Sequence, residues 1–545
     1  MKYIYLSILS FVLFLSSCEL DRMPETQFHD DNFWKTERDL RSACNKLYDD
    51  LGGFSHDFRS DELVAKSANS ISAGSRTTPH ESTDWENPYT RIFNANKIID
   101  FAPNADVSEK VLNHYLAQAY FFRAYDYFTL VKRYGDVPLI LKSFLDPDDP
   151  AIYTARTPRE EVIQQCYADL EFAIEWLNTS KNDWGHVTKS AALGLMTRIG
   201  LYEGTYGKYH NLNNNYKVHL EKSIEAAEAL MKRGHELYPN FSDLFTFKGQ
   251  GPENKENIFV KVYGPDDAGT EVHKNSREME NKVSLTRQMV DLFLYEDGLP
   301  REKSKDAILQ DKSFDDVFVK RDPRLAMTIF KRGEEAYKGK YNPLAQNHGF
   351  GYGLKKGFMM EEWSTNQKET VDKMLIRYAE ILLSYAEALY ELNGLISNDK
   401  LDATINLVRA RAGFNAKLSN EFVKDNDLNM LEEIRRERTV ELLDEGFRYD
   451  DIIRWKIAEE VLPKAIVGAK YVEGETTKGR DELAKRLTDK NGMVNGEFEY
   501  GVEDMYIIEL ANTRRFNPEK DYLYPIPMKE IIRSKNIITQ NPNWN

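Results

Sequence analysis

Apolar residues recur every three to four positions along most of the chain, which is the spacing of one face of an α-helix. The helices predicted from this period cover residues 32–51, 86–101, 108–134, 158–178, 188–206, 216–233, 373–392, 400–412 and 428–456. Two short runs, residues 257–263 and 326–330, are strand-like and lie among turn signals. The pattern therefore predicts an all-α protein with a few short strands.

The predicted helix 108–134 is apolar on two faces, one of which carries Leu116 and Tyr127 and the other Leu112 and Phe122. A helix with two apolar faces is packed between neighbouring helices, as in stacked helical repeats. In residues 373–392 the apolar stripe includes small residues such as Ala379, which allow close helix crossings. Successive helix pairs resemble tetratricopeptide hairpins, so we expect a tetratricopeptide-like superhelix.

The helical pattern is interrupted where Gly, Pro, Asn and aromatic residues become frequent. These interruptions predict an irregular, loop-rich subdomain, because long loops inside a compact protein are usually functional. The predicted divisions are a signal peptide, an N-terminal helical region, an irregular insertion with candidate ligand loops, and a C-terminal region: residues 1–17, 18–240, 241–372 and 373–545.

The N-terminus predicts a secreted, lipid-anchored protein. The apolar run 3–15 follows Lys2 and spans only about 20 Å as a helix, which is too short for a hydrocarbon core of about 30 Å. The run ends in Leu-Ser-Ser-Cys at Cys18, which resembles the lipobox of bacterial lipoproteins. A plain signal peptide cleaved elsewhere would leave Cys18 without a purpose. Acidic residues after it, Glu19 and Asp21, resemble a signal for surface export, so we expect Cys18 to anchor the protein to the outer membrane, facing the exterior.

Charge and cysteine content exclude several classes of function. The net charge of −15 repels phosphate backbones and anionic headgroups, which argues against nucleic acid and charge-driven membrane docking. Beyond Cys18 the chain has only Cys44 and Cys166, with no zinc-like spacing. Both cysteines lie in helical patterns and are expected to be buried, inert thiols.

No catalytic motif is present, since the sequence has no H-E-x-x-H, no G-x-S-x-G and no phosphate-binding glycine loop. A pair of carboxylates that meets only in the fold could still be present. We expect a protein that is not an enzyme and that uses no cofactor or metal.

Four glutamates recur at every fourth position: Glu433, Glu437, Glu441 and Glu445. Like charges on one helix face repel each other, so this face needs cationic partners. One interpretation is an ion or substrate site. The other, which we favour, is a set of buried ion pairs that holds this helix to the core.

Several sequence blocks, in order, resemble one family. The blocks are RIFNAN (91–96), RAYDYF (123–128), YGDVPL (134–139), RYAEILL (377–383), IRRERTVEL (434–442), EGFRYDDIIRW (445–455), YLYPIP (522–527) and QNPNW (540–544). Together with the lipobox, this ordered set resembles the SusD/RagB family of outer-membrane nutrient-binding lipoproteins, and it spans nearly the whole chain.

The resemblance implies an all-α tetratricopeptide-like core and no catalysis. It also implies a partner, a SusC-like TonB-dependent transporter, to which such lipoproteins pass oligosaccharide. A branch resembling RagB carries peptides instead. The hallmark blocks belong to the scaffold, so they do not identify the ligand.

Glycan binding needs aromatic rings that stack on the apolar face of a sugar, and polar groups for its hydroxyls. In such a family we expect these residues in surface loops. The candidates are Arg76, Asp84, Trp85, Tyr263, Asp266, Tyr341, Tyr352 and Trp363. Trp85 could instead pack on the helix that follows it. A glycan binder is the leading hypothesis, with a peptide binder and a surface glycoside hydrolase as alternatives.

Overall fold

The computed structural model describes residues 33–49, 51–146, 149–178, 184–212, 215–264, 271–280, 282–307, 313–346, 349–470 and 505–544. The predicted signal peptide, Cys18 and Asp266 lie outside these ranges. The long helices of the first half are α1 (Glu37–Asn45), α2 (Thr83–Phe101), α3 (Glu109–Tyr134), α4 (Arg159–Trp176), α5 (Lys189–Tyr209) and α6 (Tyr216–Met231). The periodicity therefore predicted these helices correctly, with ends that differ by a few residues.

Helices of the second half are shorter on average. They are α7 (Asn275–Met279), α8 (Arg287–Leu292), α9 (Pro323–Thr328), α10 (Met360–Ser364), α11 (Tyr378–Asn393), α12 (Asn398–Asp402), α13 (Ile405–Arg411), α14 (Asn420–Asp425), α15 (Met430–Glu441), α16 (Arg448–Arg454), α17 (Ala458–Val461) and α18 (Met528–Arg533). Helices α2 to α6 each pack on the next, and α11 packs on α5, α6 and α15. The fold is thus an all-α, tetratricopeptide-like array of stacked helices, as predicted.

Close packing between α5 and α6 depends on glycine. A Cβ atom at Gly200 would lie 2.6 Å from the carbonyl oxygen of His219 and 2.7 Å from the backbone nitrogen of Ser223. At Gly204 a Cβ atom would lie 2.6 Å from Cγ of Leu220. These two glycines let the helix backbones approach closely, as small residues do at crossings in helical arrays.

Buried arginine–carboxylate pairs join successive helices of the array. Arg123 of α3 binds Asp169 of α4 at 2.7 Å, and Arg159 of α4 binds Glu203 of α5 at 2.6 Å. Further along, Arg198 of α5 binds Glu380 of α11 at 2.6 Å. Since an unpaired charge is costly in a low-dielectric core, each pair favours one register between its two helices.

Strands are short and paired in twos: β1 (Leu63–Val64) with β3 (Ser284–Leu285), β2 (Asn257–Lys261) with β6 (Lys373–Arg377), β4 (Glu335–Ala336) with β5 (Gly339–Lys340), and β7 (Ile466–Lys470) with β8 (Met505–Glu509). Two predictions were wrong here. The first five residues of the predicted helix 373–392 form β6, because β2 supplies a partner for their backbone. The predicted strand 326–330 largely forms α9, whose start is capped by Asp322.

Two predicted helices are each divided in two. The run 400–412 becomes α12 and α13, and the run 428–456 becomes α15 and α16. Between α15 and α16 the backbone turns through Asp444 (φ +60°) and Gly446 (φ +83°). A residue with positive φ does not continue an α-helix. The hydrophobic period alone does not reveal such a turn, because the apolar spacing continues across it.

Residues 241–372 hold short helices and strands around a second apolar core. This core includes Leu285, Phe330 and Tyr352, and it also recruits Leu63 and Leu443 from outside the range. The irregular region therefore packs on the rest of the chain, and the proposed division into domains stays a prediction.

Both described cysteines are buried, as predicted, and burial raises the pKa of the Cys44 and Cys166 thiols. Thiols in such surroundings stay protonated and unreactive. Among the described residues, no helix combines the length and apolar composition needed to cross a bilayer.

Candidate functional site

The glutamate face of α15 forms a buried ion-pair network. Glu441 pairs with Arg377 at 2.7 Å and Arg324 at 3.1 Å, and it also binds Arg411. Glu437 pairs with Arg324 at 2.6 Å and Arg409 at 2.7 Å. We call this set, together with Glu445 and its partners Arg377 and Lys356, the glutamate network.

Every carboxylate of the glutamate network is held by cations from other elements. Burial alone would raise the pKa of Glu441, but the charges of Arg411, Arg377 and Arg324 lower it to about 2. Glu441 itself is fully buried. The prediction of structural ion pairs is therefore confirmed for Glu437, Glu441 and Glu445, while Glu433 pairs with Arg436 of its own helix.

A large groove lies elsewhere, against the first helix of the array. Trp85, Tyr89, Phe93 and Asn96 lie on one face of α2 because they are three or four residues apart. This face forms one wall of a groove of about 510 Å³, which we call the aromatic groove. Phe93 is 38% exposed and offers its ring to solvent.

The opposite wall of the aromatic groove comes from residues 138–144 and from Ile152 and Tyr153. Tyr89 donates a hydrogen bond from its hydroxyl to the carbonyl of Pro138 at 2.9 Å, and the Asn96 amide donates to the carbonyl of Ile140 at 2.9 Å. These bonds fix Pro138 and Ile140 beside α2. Phe144 and Tyr153, both half-buried, also line the groove.

The C-terminal helix α18 closes the third side. Its backbone is fixed to the segment before α2, since the amide of Lys529 donates to the carbonyl of His80 at 2.8 Å. The Lys529 ammonium bridges Glu86 at 2.8 Å and Glu81 at 3.0 Å. Burial raises the pKa of Glu530, which lines the groove together with Arg533. The groove thus combines aromatic rings with charged groups from three distant segments.

Of the residues predicted as ligand contacts, the structure places Trp85 in the aromatic groove. The Trp85 side chain is only 3% exposed, and its ring packs on Tyr89 and Tyr134 with centroid distances of 5.1 and 4.9 Å. Its main role is therefore packing, the alternative noted above. Asp84, next to it, forms an ion pair with Arg133.

The other described candidates lie apart from the groove. Tyr341 and Tyr352 are 1% exposed, so protein atoms cover both ring faces. Tyr263 is 5% exposed and packs against Phe54 and His273. These three rings offer no stacking surface in this conformation, because the surrounding loops fold over them.

Arg76 and Trp363 are also engaged by protein. Arg76 donates to the carbonyl of Asp521 at 2.7 Å and lies over the Tyr524 ring. Trp363 donates from Nε1 to Glu280 at 2.9 Å, while the Arg277 guanidinium lies 4.3 Å from its ring centroid. Trp363 keeps partial exposure, so its role as a ligand contact stays a prediction.

The prediction missed the other groove aromatics. A signal existed for Tyr89 and Phe93, because both follow Trp85 at four-residue intervals on a predicted helix. No local pattern marks Phe144, Tyr153 or Arg533, since they reach the groove only through tertiary contacts.

A second cluster, His273 with Glu362 and Glu369, has the residue types of a metal site. Most of the polar atoms of this cluster already form hydrogen bonds with the backbone. Glu369 accepts hydrogen bonds from the amides of Ser276 and Arg277, and Glu362 accepts from those of Thr370 and Val371. The His273 Nε2 lies 3.0 Å from the carbonyl of Val371, so it donates there. These contacts explain the cluster as loop support without an ion.

Comparison of the sequence with known families gives two matches. The sequence model of the SusD family matches residues 249–544. A second family model, described as starch-binding and associating with the outer membrane, matches residues 42–201. Together the two ranges cover both the aromatic groove and the glutamate network.

Individual relatives agree with these matches. The chain is 25% identical to SusD-like protein P38 of Formosa agariphila, over 82% of this chain and 90% of that protein. It is 24% identical to a SusD-like protein of Bacteroides ovatus, over 84% and 83% of the two chains.

Solved structures share the fold. A SusD-like carbohydrate-binding protein of Bacteroides fragilis superposes with a TM-score of 0.71 at 24% identity, covering 93% of this chain and 99% of that one. Surface glycan-binding protein A of Bacteroides fluxus gives a TM-score of 0.60 at 20% identity, covering 93% and 100%. At such identities the likeness concerns the fold.

Proposed function

The chain belongs to the SusD family, and on this premise we propose that it is a surface-exposed lipoprotein that captures glycan at the outer membrane and delivers it to a SusC-like TonB-dependent transporter. The observation that carries the proposal is the aromatic groove, in which Tyr89, Phe93, Phe144 and Tyr153 surround a space of about 510 Å³. Aromatic rings beside charged and amide groups suit sugar rings, which present an apolar face and a belt of hydroxyls.

Binding without catalysis fits the arrangement of charges. The described carboxylates of the groove are Glu86 and Glu530. Glu86 is engaged by Lys529, while Glu530 lies on α18 beside Arg533. Relatives named for carbohydrate or glycan binding support the same interpretation. We therefore propose a carrier, and place a peptide carrier second and a hydrolase third.

Replacing Phe93 or Tyr153 by alanine is expected to lower glycan affinity by about tenfold each, because a stacked ring contributes roughly 1 kcal/mol or more. The measurement is isothermal titration calorimetry with an oligosaccharide identified by array screening of the full chain in detergent. Phe93 is half-exposed, so its loss leaves the core intact.

The matched control is Phe247→Ala, since Phe247 is 41% exposed and lies outside the groove. Unchanged affinity in both groove variants would exclude the groove as the glycan site. If the array instead yields peptides and no glycan, the peptide carrier replaces the leading proposal.

Docking on a transporter is supported by exposed apolar side chains around the groove. Six large ones come from the segments that build it: Phe93, Leu141, Leu145, Met528, Ile532 and Ile537. Of these six, Phe93 also lines the groove, and exposed apolar groups that form a continuous patch are typical of protein contact surfaces. A transporter seated here would cover the groove and enclose its ligand.

The lipid anchor rests on the lipobox ending at Cys18. Cys18→Ala is expected to abolish palmitate incorporation and release the protein from the outer-membrane fraction, because two or more acyl chains are needed for stable anchoring. Incorporation of radiolabelled palmitate tests the lipid anchor. Co-purification of the transporter from detergent extracts tests the transporter partner. A wild-type chain that stays unlabelled and purifies without a transporter would contradict them.

A further inference from the structure

The charges of the aromatic groove differ from those of the protein as a whole. The chain has a net charge of −15, yet the groove holds three basic side chains, Lys142, Lys529 and Arg533, against two acidic ones. An acidic surface repels anionic polymers, so basic side chains that line a groove stand out against that background.

Two of the three cations keep charge available for a ligand. Lys529 is neutralised by Glu81 and Glu86, which it bridges. Lys142 is exposed and forms no ion pair with any residue that the structure describes. Arg533 is 57% exposed and approaches its carboxylate neighbour, Glu530, only to 4.0 Å.

The acidic side chains of the groove make no closer contact than this 4.0 Å with Lys142 or Arg533 among the described ion pairs. Glu86 is engaged by Lys529, and burial raises the pKa of Glu530.

We infer that the aromatic groove takes a glycan that carries anionic groups, with sugar rings on the aromatic walls and the anionic groups at Lys142 and Arg533. Carboxylates of uronic acids and sulfate esters share this chemistry, since both accept charge-assisted hydrogen bonds from ammonium and guanidinium groups. The inference rests on the proposed function and specifies the ligand class of the same site.

The test titrates the full chain with three sets of oligosaccharides of matched length. The neutral set is malto-, xylo- and manno-oligosaccharides, the uronate set is oligogalacturonate and oligoalginate, and the sulfate set is carrageenan oligosaccharides. We expect at least one acidic ligand to bind about tenfold or more tightly than any neutral one, with affinity that falls as salt is raised. The two acidic sets distinguish carboxylate from sulfate.

The variant Lys142→Gln/Arg533→Gln is expected to lower the affinity for the acidic ligand by about tenfold or more. Lys248→Gln/Lys417→Gln removes the same charge from exposed side chains elsewhere and should leave affinity unchanged. Thermal melts of both variants check that the fold is intact.

The results distinguish failure of the anionic ligand class from failure of glycan capture. Tighter binding of neutral glycans, or acidic-glycan affinity that the groove variant does not change, would overturn the anionic ligand and leave glycan capture standing. Absence of binding to all three sets would overturn glycan capture itself.

Discussion

Replacing Glu441 by alanine is expected to lower the free energy of unfolding by about 3–5 kcal/mol, because it leaves buried arginines without their carboxylate partner. Arg377 and Arg324 would each lose a carboxylate at 2.7 and 3.1 Å in a site without access to water. Arg411 would lose a third contact to the same side chain. The measurement is equilibrium unfolding in urea at neutral pH, followed by far-UV circular dichroism.

Two further variants separate charge from general disturbance of the helix. Glu432→Ala lies on the exposed side of α15 and should change stability by less than about 0.5 kcal/mol. Glu441→Gln keeps the shape and some hydrogen bonds but removes the charge, so it should be intermediate. A Glu441→Ala protein that melts normally and loses glycan affinity would contradict a structural role.

Acidification is expected to produce the second large effect, a loss of unfolding free energy between about pH 4.5 and about pH 2. Glu441 and Glu387 each have a pKa of about 2 in the folded protein, against an ordinary value of 4.5. Glu387 owes its low value mainly to Arg454, which binds both its oxygens at 2.6 and 2.7 Å and outweighs the opposing effect of burial.

The sign follows from the direction of these shifts. A carboxylate with a lowered folded pKa stabilises the protein above the unfolded pKa, and this stabilisation disappears as pH falls through the folded value. A shift of this size corresponds to about 3 kcal/mol for each group. Urea unfolding at intervals of half a pH unit measures how the free energy of unfolding changes with pH.

Glu441→Gln should make the slope below pH 4.5 shallower, because one of the two carboxylates no longer titrates. Glu62→Gln is the matched control. Burial raises the pKa of Glu62, so its contribution is full below its ordinary pKa and is lost as pH rises. That variant should change the profile above pH 4.5 and leave the acid limb unaltered. A Glu441→Gln protein with the wild-type acid slope would refute the assignment.

The buried ion pairs of the helical array and the exposed side chains of the groove serve different purposes. The arginine–carboxylate pairs between α3, α4, α5 and α11 lie inside the array, where they hold the helices in register. In contrast, Phe93, Lys142 and Arg533 remain exposed and can change without loss of the fold. Lys142 and Arg533 lie outside the hallmark blocks, whereas Phe93 belongs to the block 91–96.

Local pattern was sufficient for the helical array and for the nature of the glutamate face. Spacing of three to four residues reports which side chains share a helix face, and glutamates on one face require opposite charges nearby. Glu445, however, lies beyond the end of α15 at Glu441. The same spacing did not show that β6 replaces the start of a predicted helix, because strand pairing depends on β2, more than a hundred residues earlier. It also did not show the turn at Asp444 and Gly446.

What the sequence by itself determined is the fold class, the buried character of the glutamate face, and the likeness to a family that the comparisons then established. What only the tertiary structure decided is which cations hold that face, and which aromatic rings stay uncovered. Arg324 and Arg377 are far from Glu441 along the chain, and the groove joins α2 to α18 across more than four hundred residues. Exposure is a property of all the surroundings of a side chain, and distant segments provide most of those surroundings.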